Sequence, residues 1–300
     1  MSVFPNPSAA STQFDAVVGR LRAAGCVFAE DEARLLIAGA ADRADLESMI
    51  DRRVAGLPLE HILGWAEFCG LRIAVDEGVF VPRRRTGLLV QQAVALARGV
   101  GTAGPLDDSA AVRTGIGRLP VIVDMCCGSA AVGVAVVTAL GRAELHAVDI
   151  DPAAVRCAVR NVEAVGGLVY QGDLYAALPG SLRGRIDIVV ANAPYVPTVE
   201  IGMMPPEARL FEARVALDGG LDGLDLQRRI AAEASGWLVP GGWLLIETSE
   251  RQAPITAGIL ERAGLTARVE HSAELSATVV IGTHRPTHRP EAPIPAGALS

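Results

Sequence analysis

Val121-Ile122-Val123-Asp124-Met125-Cys126-Cys127-Gly128-Ser129-Ala130, followed by an apolar run to residue 140, decides the fold. A continuous β-branched run that ends at an aspartate is the pattern of a strand buried on both faces. The small-residue turn then leads into a stretch, 130–140, that suits a helix. The same unit recurs downstream. Residues 145–148 form the next strand and end at Asp149. Asp151-Pro152 then supplies an N-cap and a proline at the first helical position, which predicts a helix to about residue 164. A short strand at 168–170 precedes Asp173. Residues 186–190 predict a fourth strand, which runs into Ala191-Asn192-Ala193-Pro194-Tyr195. A long loop follows to Gly223, then a helix to Trp237, a strand at 243–246, a helix at 251–263 and strands at 265–270 and 277–282. Seven strands alternating with helices predict an α/β fold with a mostly parallel, doubly wound sheet.

Upstream the pattern differs. Phe14, Val17, Val18 and Leu21 recur at helical spacing, and a second helical stretch surrounds Leu35, Leu36 and Ile37. A third has Leu46, Met49, Ile50 and Val54 on one face, with Asp45 as N-cap and Gly56 as its stop. Residues 1–70 therefore read as a small helical domain. Leu71, Ile73 and Val75 at period two, a turn at 76–78 and then Val79-Phe80-Val81 predict a β-hairpin over 71–83. Residues 84–98 read as helical, and 99–118, rich in Gly, Ala, Asp and Ser, as a linker or surface loop. The sheet domain spans 84–283. Residues 284–300, with two His-Arg-Pro steps, read as a disordered tail; His284 and His288 lack further ligands nearby.

Composition narrows the chemistry. The chain has 300 residues, half of them apolar, and a net charge of −7. All 27 basic residues are arginine. Without lysine, a Schiff-base or phosphate-loop lysine mechanism is excluded. The negative balance argues against non-specific nucleic-acid coating. The five cysteines show no C-x-x-C and no zinc spacing, so neither a disulfide framework nor a metal is expected; Cys69 and Cys157 read as buried small apolar residues. No basic-then-apolar leader and no 18-residue apolar run are seen, which points to a reduced cytoplasmic compartment and no membrane. Arg83-Arg84-Arg85 reads first as a solvated charged turn, with a phosphate or acidic partner as the sharper alternative.

In such sheets ligands sit at the carboxyl ends of the strands. Asp124, Asp149, Asp173 and Asn192 stand at or just past four strand ends. Singly, a strand-end aspartate is a helix cap and a small-residue turn is a tight turn; as an ordered set they predict a nucleotide-type pocket. The loop lacks G-x-G-x-x-G, so a cofactor without a pyrophosphate fits better than NAD. S-adenosylmethionine is such a cofactor, and its ammonium and sulfonium charges suit Asp124. Asp149 suits the hydroxyls of its ribose. The fourth strand end sets the reaction. An amide or exocyclic amine is a poor nucleophile, and methylating it requires acceptors that aim its lone pair. The Asn192 side-chain oxygen and the Ala193 carbonyl are two such acceptors, Pro194 stiffens the loop and Tyr195 walls the flat group.

Asn192-Ala193-Pro194-Tyr195 resembles the Asn-Pro-Pro-Tyr motif of amino- and amide-directed methyltransferases. The chain further resembles the protein-glutamine methyltransferases that modify release factors or a ribosomal protein. The resemblance runs from about residue 30 to 282. It includes Leu57-Pro58-Leu59-Glu60-His61-Ile62-Leu63-Gly64-Trp65-Ala66-Glu67-Phe68, Val81-Pro82-Arg83 with Thr86, Glu212, Ala216-Leu217-Asp218-Gly219-Gly220-Leu221-Asp222-Gly223-Leu224, and Glu247 with Gln252. It implies a Rossmann-like methyltransferase domain using S-adenosylmethionine. The cofactor would be held by Asp124, Cys126, Cys127, Gly128, Ser129, Ala130, Asp149, Ile150, Asp173, Leu174 and Asn192. Asn192, Ala193, Pro194 and Tyr195 would hold the glutamine, and the helical domain would dock a protein substrate such as a release factor. The chain departs from the family pattern at Cys126 and Ala130, where glycines are usual, at Ala193 for the first proline, at Gly87 for an acidic residue, and around Thr278, where an arginine is expected. Two other readings remain open from the residues: methylation of an exocyclic nitrogen on a nucleic-acid base or small molecule, and a non-catalytic module retaining the fold.

Overall fold

The computed structural model describes residues 7–99 and 118–285. Most of the linker expected at 99–118, and the expected tail beyond residue 285 with His288, lie outside the described residues.

The amino-terminal part is helical: α1 (Pro7–Ala23), α2 (Ala29–Gly39), α3 (Arg43–Val54) and the short α4 (Leu59–Leu63). Val17, Leu21, Leu36, Met49 and Ile50 form its core, which is separate from the two cores that cover the sheet. The cap of α3 differs from the one expected. Asp42 takes the N-cap and accepts from the Asp45 N–H, while Asp45 reaches back to the Ala41 N–H. Asp45 is thus the acidic partner of a reciprocal capping pair, three residues inside the helix. Gly56 ends the helix with φ near +97°.

The hairpin sits earlier than the period-two run suggests. Its strands are β1 (Trp65–Phe68) and β2 (Leu71–Ala74), paired antiparallel as Phe68↔Leu71 and Trp65↔Ala74. The two-residue connection is Cys69-Gly70, with φ of +50° and +76°, the left-handed pair a tight hairpin needs. Cys69 is therefore exposed in the turn and not in a core, whereas Cys157 is buried and donates to the Ala74 carbonyl. Val79-Phe80-Val81 is no second strand; Val79 closes a turn on the Asp76 carbonyl, and Val79 and Phe80 line a cavity.

After a 3-10 turn at Arg84–Thr86, α5 (Gly87–Ala97) leads towards the sheet. The sheet holds β3 (Val121–Met125), β4 (Glu144–Asp149), β5 (Leu168–Gln171), β6 (Ile186–Ala191), β7 (Leu238–Thr248), β8 (Leu265–Ser272) and β9 (Ala277–His284). Their order is β5-β4-β3-β6-β7-β9-β8, parallel except for β9. The helices between them are α6 (Ala131–Leu140), α7 (Pro152–Glu163), α8 (Pro206–Phe211), α9 (Asp225–Trp237) and α10 (Ala253–Arg262). The β9 strand reaches His284, whose Nδ1 lies 3.2 Å from the Val239 carbonyl, two residues past its expected end. The strand expected at 243–246 is longer too, because the Gly241-Gly242 pair is absorbed into β7 as an irregularity beside β6. Among the described residues no helix is long and apolar enough to cross a membrane.

The order places β3 beside β6, where the chain's winding reverses. That reversal is where open α/β sheets bind ligands. It also lines up four strand ends along one edge: β5, β4, β3 and β6, carrying Asp173, Asp149, Asp124 and Asn192 in that spatial order.

Candidate active site

The cleft at this edge encloses a cavity of about 200 Å³. Its lining includes every expected cofactor or substrate residue except Ala130: Asp124, Cys126, Cys127, Gly128, Ser129, Asp149, Ile150, Asp173, Leu174, Asn192, Ala193, Pro194 and Tyr195. Ala130 is fully buried beneath the loop as the N-cap of α6.

The turn after β3 shows why its residue types matter. Cys126, Gly128 and Ala130 have φ of +57°, +55° and +60°. Two of these left-handed positions, Cys126 and Ala130, carry side chains, at about 1–2 kcal/mol each. Tertiary contacts hold the turn in place. The Cys127 N–H donates to the Val148 carbonyl, the Gly128 N–H to Asp149 Oδ2 (2.8 Å), and the Ala130 N–H to the Cys127 carbonyl. Buried Asn161 on α7 donates to the Ser129 carbonyl and clasps the backbone of Ala74 with both ends of its amide. This clamp is not legible in the residue pattern, because an asparagine inside a helix ordinarily faces solvent.

The N–H groups of Cys127, Gly128 and Ala130 are thus committed within the protein, which disfavours a phosphate. Among the charged residues of a mostly apolar lining, carboxyl groups prevail: Asp124, Asp149, Asp151 and Asp173. The arginines there are themselves paired, Arg229 with Asp173 at 2.6 Å and Arg85 with Glu247 at 3.4 Å. A sulfonium cofactor carrying positive charge fits this donor set, and a dinucleotide does not.

Asp124 is 2% exposed. Its Oδ2 accepts from the Gly133 N–H at 2.8 Å, and a Cβ at Gly133 would lie 3.0 Å from the Asp124 Cβ, so glycine lets α6 approach the strand. Burial pushes the Asp124 carboxyl up to about 8, and neighbouring Asp149 adds to the rise. A folded pKa raised above the unfolded value of about 3.9 means that the native state holds the proton more tightly. Stability from this group is complete below pH ~4 and is lost as pH rises towards ~8. Burial also raises Asp149, Glu212 and Glu247 in the same direction. We expect the melting temperature of the ligand-free chain to fall between pH ~5 and ~8, and Asp124→Asn to flatten that fall. An equally steep fall in the variant would assign the titration elsewhere.

Asp149 accepts from two backbone N–H groups, Gly128 through Oδ2 and Asp151 through Oδ1, both near 2.9 Å or below. Each carboxylate oxygen has a second acceptor direction. Asp149 can therefore shape the loop and still receive hydroxyl donors.

The tetrad leaves β6 at Ala191, which pairs with Ile246 of β7. Asn192 is half-buried, Ala193 and Pro194 are buried, and Tyr195 is half-buried. No other described residue holds the Asn192 side-chain amide, so its oxygen and nitrogen are free to face the cavity. The backbone behind it is tightly held. Val196 and Leu217–Gly219 exchange bonds, the Thr198 N–H donates to the Gly220 carbonyl, and Gln252 Nε2 donates to the Tyr195 carbonyl at 3.0 Å and to the Asp222 carbonyl at 3.2 Å. Asp218 Oδ1 accepts from the Thr198 hydroxyl and the Gly220 N–H. The long loop expected to Gly223 carries 3-10 turns at Thr198–Met203 and Arg214–Ala216, and α8 between them.

Two arginines of the expected solvated turn are paired with buried carboxyls, although Arg85 keeps 47% of its side chain exposed. Arg83 pairs with Glu212, whose Oε1 also accepts from the Val81 N–H. This bolt, with the Ala213 N–H to Gly78 carbonyl bond at 3.1 Å, makes the 78–82 segment a wall of the cavity. Arg84 is 82% exposed.

Comparison with known proteins agrees with this geometry. The "Methyltransferase small domain" family model matches residues 114–220. A protein of Geobacter sulfurreducens named "Release factor glutamine methyltransferase" is 36% identical over 74% of this chain and 71% of its own length. The chain belongs to the release factor glutamine methyltransferase family. The Streptomyces coelicolor family member of that name is 36% identical over 68% of this chain and 67% of its own, and that of Gloeobacter violaceus 35% over 74% and 72%.

Proposed function

We propose that the chain transfers a methyl group from S-adenosylmethionine to the side-chain amide nitrogen of a glutamine in a peptide chain release factor. The observation that carries this reading is one shared cavity. The Asn192–Tyr195 tetrad closes one end, and the Asp124, Asp149 and Asp173 strand ends line the other. When bound, S-adenosylmethionine supplies a methyl carbon on an electron-poor sulfonium sulfur. The residues supply order. Asp149 would receive ribose hydroxyls, the buried Asp124 carboxyl would lie beside a cationic ligand whose charge favours its ionised form, and Ile150, Asp173 and Leu174 would complete the cofactor's lining. The Asn192 side-chain oxygen and the Ala193 carbonyl accept from the substrate NH₂, which turns its lone pair towards the methyl carbon. The cofactor would supply the methyl group and keep the sulfur's electron pair, and the methylated nitrogen would give up its proton once the site opens. Pro194 and Tyr195 shield the site from water.

The helical domain would dock the protein. Arg53 on α3 pairs with Glu32 on α2 at 2.6 Å and with Glu207 on α8 at 2.6 Å, so that domain is fastened to the segment flanking the tetrad. A cytoplasmic setting, where release factors act, belongs to the same reading.

Incubation with S-adenosylmethionine and a release factor, followed by peptide mass spectrometry, tests the proposal. One added methyl on a glutamine, absent when glutamine is replaced by glutamate, is the expected result. Transfer to nucleic acid but not to protein overturns it. For the cofactor, Asp149→Ala is expected to weaken S-adenosylmethionine binding by about 1.5–3 kcal/mol, the range for hydrogen bonds to a charged group. Calorimetry measures this, and an unchanged affinity would place the ribose elsewhere.

A further inference from the structure

Tyr195 is held at both ends. Its carbonyl accepts from Gln252 Nε2, and its hydroxyl lies 2.9 Å from Arg85 Nη2. Arginine has donors only, so the phenol oxygen is the acceptor and its own hydrogen stays available to another group. Arg85 and Tyr195 both line the cavity.

Arg85 is held in turn. Its Nε faces Glu247 Oε1 at 3.4 Å. Glu247 lies on β7 one residue past Ile246, which pairs with Ala191, so the register sets it beside Asn192 on the neighbouring strand end. It is 2% exposed, and the buried Thr86 hydroxyl lies beside its carboxyl as a second polar neighbour. A buried carboxylate needs a countercharge, and a guanidinium is the side chain that supplies one while still donating elsewhere. Glu247 thus fixes the guanidinium, and the guanidinium fixes the ring.

The neighbouring arginines do not change this reading. Arg83 is committed to Glu212, and Arg84 points outward, 4.0 Å from Glu274. The three do not converge on a common anion. Arg85 alone of the three faces both a buried carboxylate and the substrate wall.

We propose that Arg85 is a positioning residue for Tyr195, anchored by Glu247, and that this couple sets the ring against the substrate amide. The proposal rests on the amide-methylation reading above. It predicts that the couple acts on turnover and leaves cofactor affinity alone, because the cofactor end of the cavity lies at the other strand ends.

The chain has three tyrosines, Tyr170, Tyr175 and Tyr195. The full-length protein labelled with ¹³C at the tyrosine Cζ therefore gives three assignable signals, with Tyr195→Phe identifying its own. In Arg85→Ala the Tyr195 signal is expected to move while Tyr170 and Tyr175 stay. Turnover on a release factor falls by about tenfold or more, the scale for a misplaced substrate wall. S-adenosylmethionine affinity by calorimetry is unchanged. Glu247→Gln, which keeps the shape and removes the charge, moves the same signal and lowers turnover in the same direction. An unmoved Tyr195 signal in Arg85→Ala overturns the proposal, and so does a moved signal with turnover intact. Because the signal is read without substrate, a wild-type chain that fails to methylate a release factor overturns the reading of function. The Tyr195 signal still decides in that case whether Arg85 anchors the ring.

Discussion

Asn192→Ala lowers turnover roughly a hundredfold or more while S-adenosylmethionine affinity falls much less. An amide nitrogen has its lone pair delocalised into the carbonyl and attacks only when its N–H bonds are held away from the methyl carbon. In the proposed function the Asn192 side-chain oxygen is one of the two acceptors for these N–H groups, and no other described residue occupies it. Deleting one preorganised polar partner in a transition state costs on the order of 10²–10³ in rate. The remaining lining, from Asp124 to Leu174, still holds the cofactor. Single-turnover kinetics beside calorimetry separates the two effects. Near-normal turnover in the variant on its true substrate would remove Asn192 from the chemistry.

Much of this site was legible in the sequence, because strands buried on both faces announce themselves as β-branched runs and their ends fall at fixed places. Asp124, Asp149, Asp173 and Asn192 were read that way, and the parallel order brings them to one edge. What escaped was held by long-range contacts. The period-two run from Leu71 matched a hairpin template, yet pairing is decided by where a two-residue left-handed turn fits, at Cys69-Gly70. Arg83 and Arg85 looked solvated because their partners, Glu212 and Glu247, lie 129 and 162 residues away. The acceptors that take the loop N–H groups belong to β4 and to the turn itself, which no local pattern announces. The Ala216–Leu224 motif had no physical explanation until the tetrad was seen resting on it.

That contact gives the second large effect. Gly219→Ala abolishes most of the activity with the fold and cofactor binding retained. A Cβ at Gly219 would lie 2.7 Å from the Pro194 carbonyl oxygen and 2.6 Å from that of Gly223. Both are backbone atoms, so neither can swing aside as a side-chain end would. Pro194 belongs to the tetrad, and Gly219 also donates to the Val196 carbonyl at 2.9 Å. Accommodating the methyl therefore pushes the tetrad into the cavity or pulls the Val196 ladder apart. Real Cβ contacts need more than 3 Å, so the shift is a few tenths of an ångström to about 1 Å, and misplacement on that scale costs about 10²-fold in rate. Circular dichroism and a thermal melt check the fold, calorimetry checks S-adenosylmethionine, and methylation of the release factor reads the loss. Substituting Gly236 on α9 serves as the control, since a Cβ there meets nothing within 4 Å. Equal turnover in Gly219→Ala and Gly236→Ala would mean that the glycine segment does not set the tetrad, and that Gln252 and the Thr198 contacts position it alone.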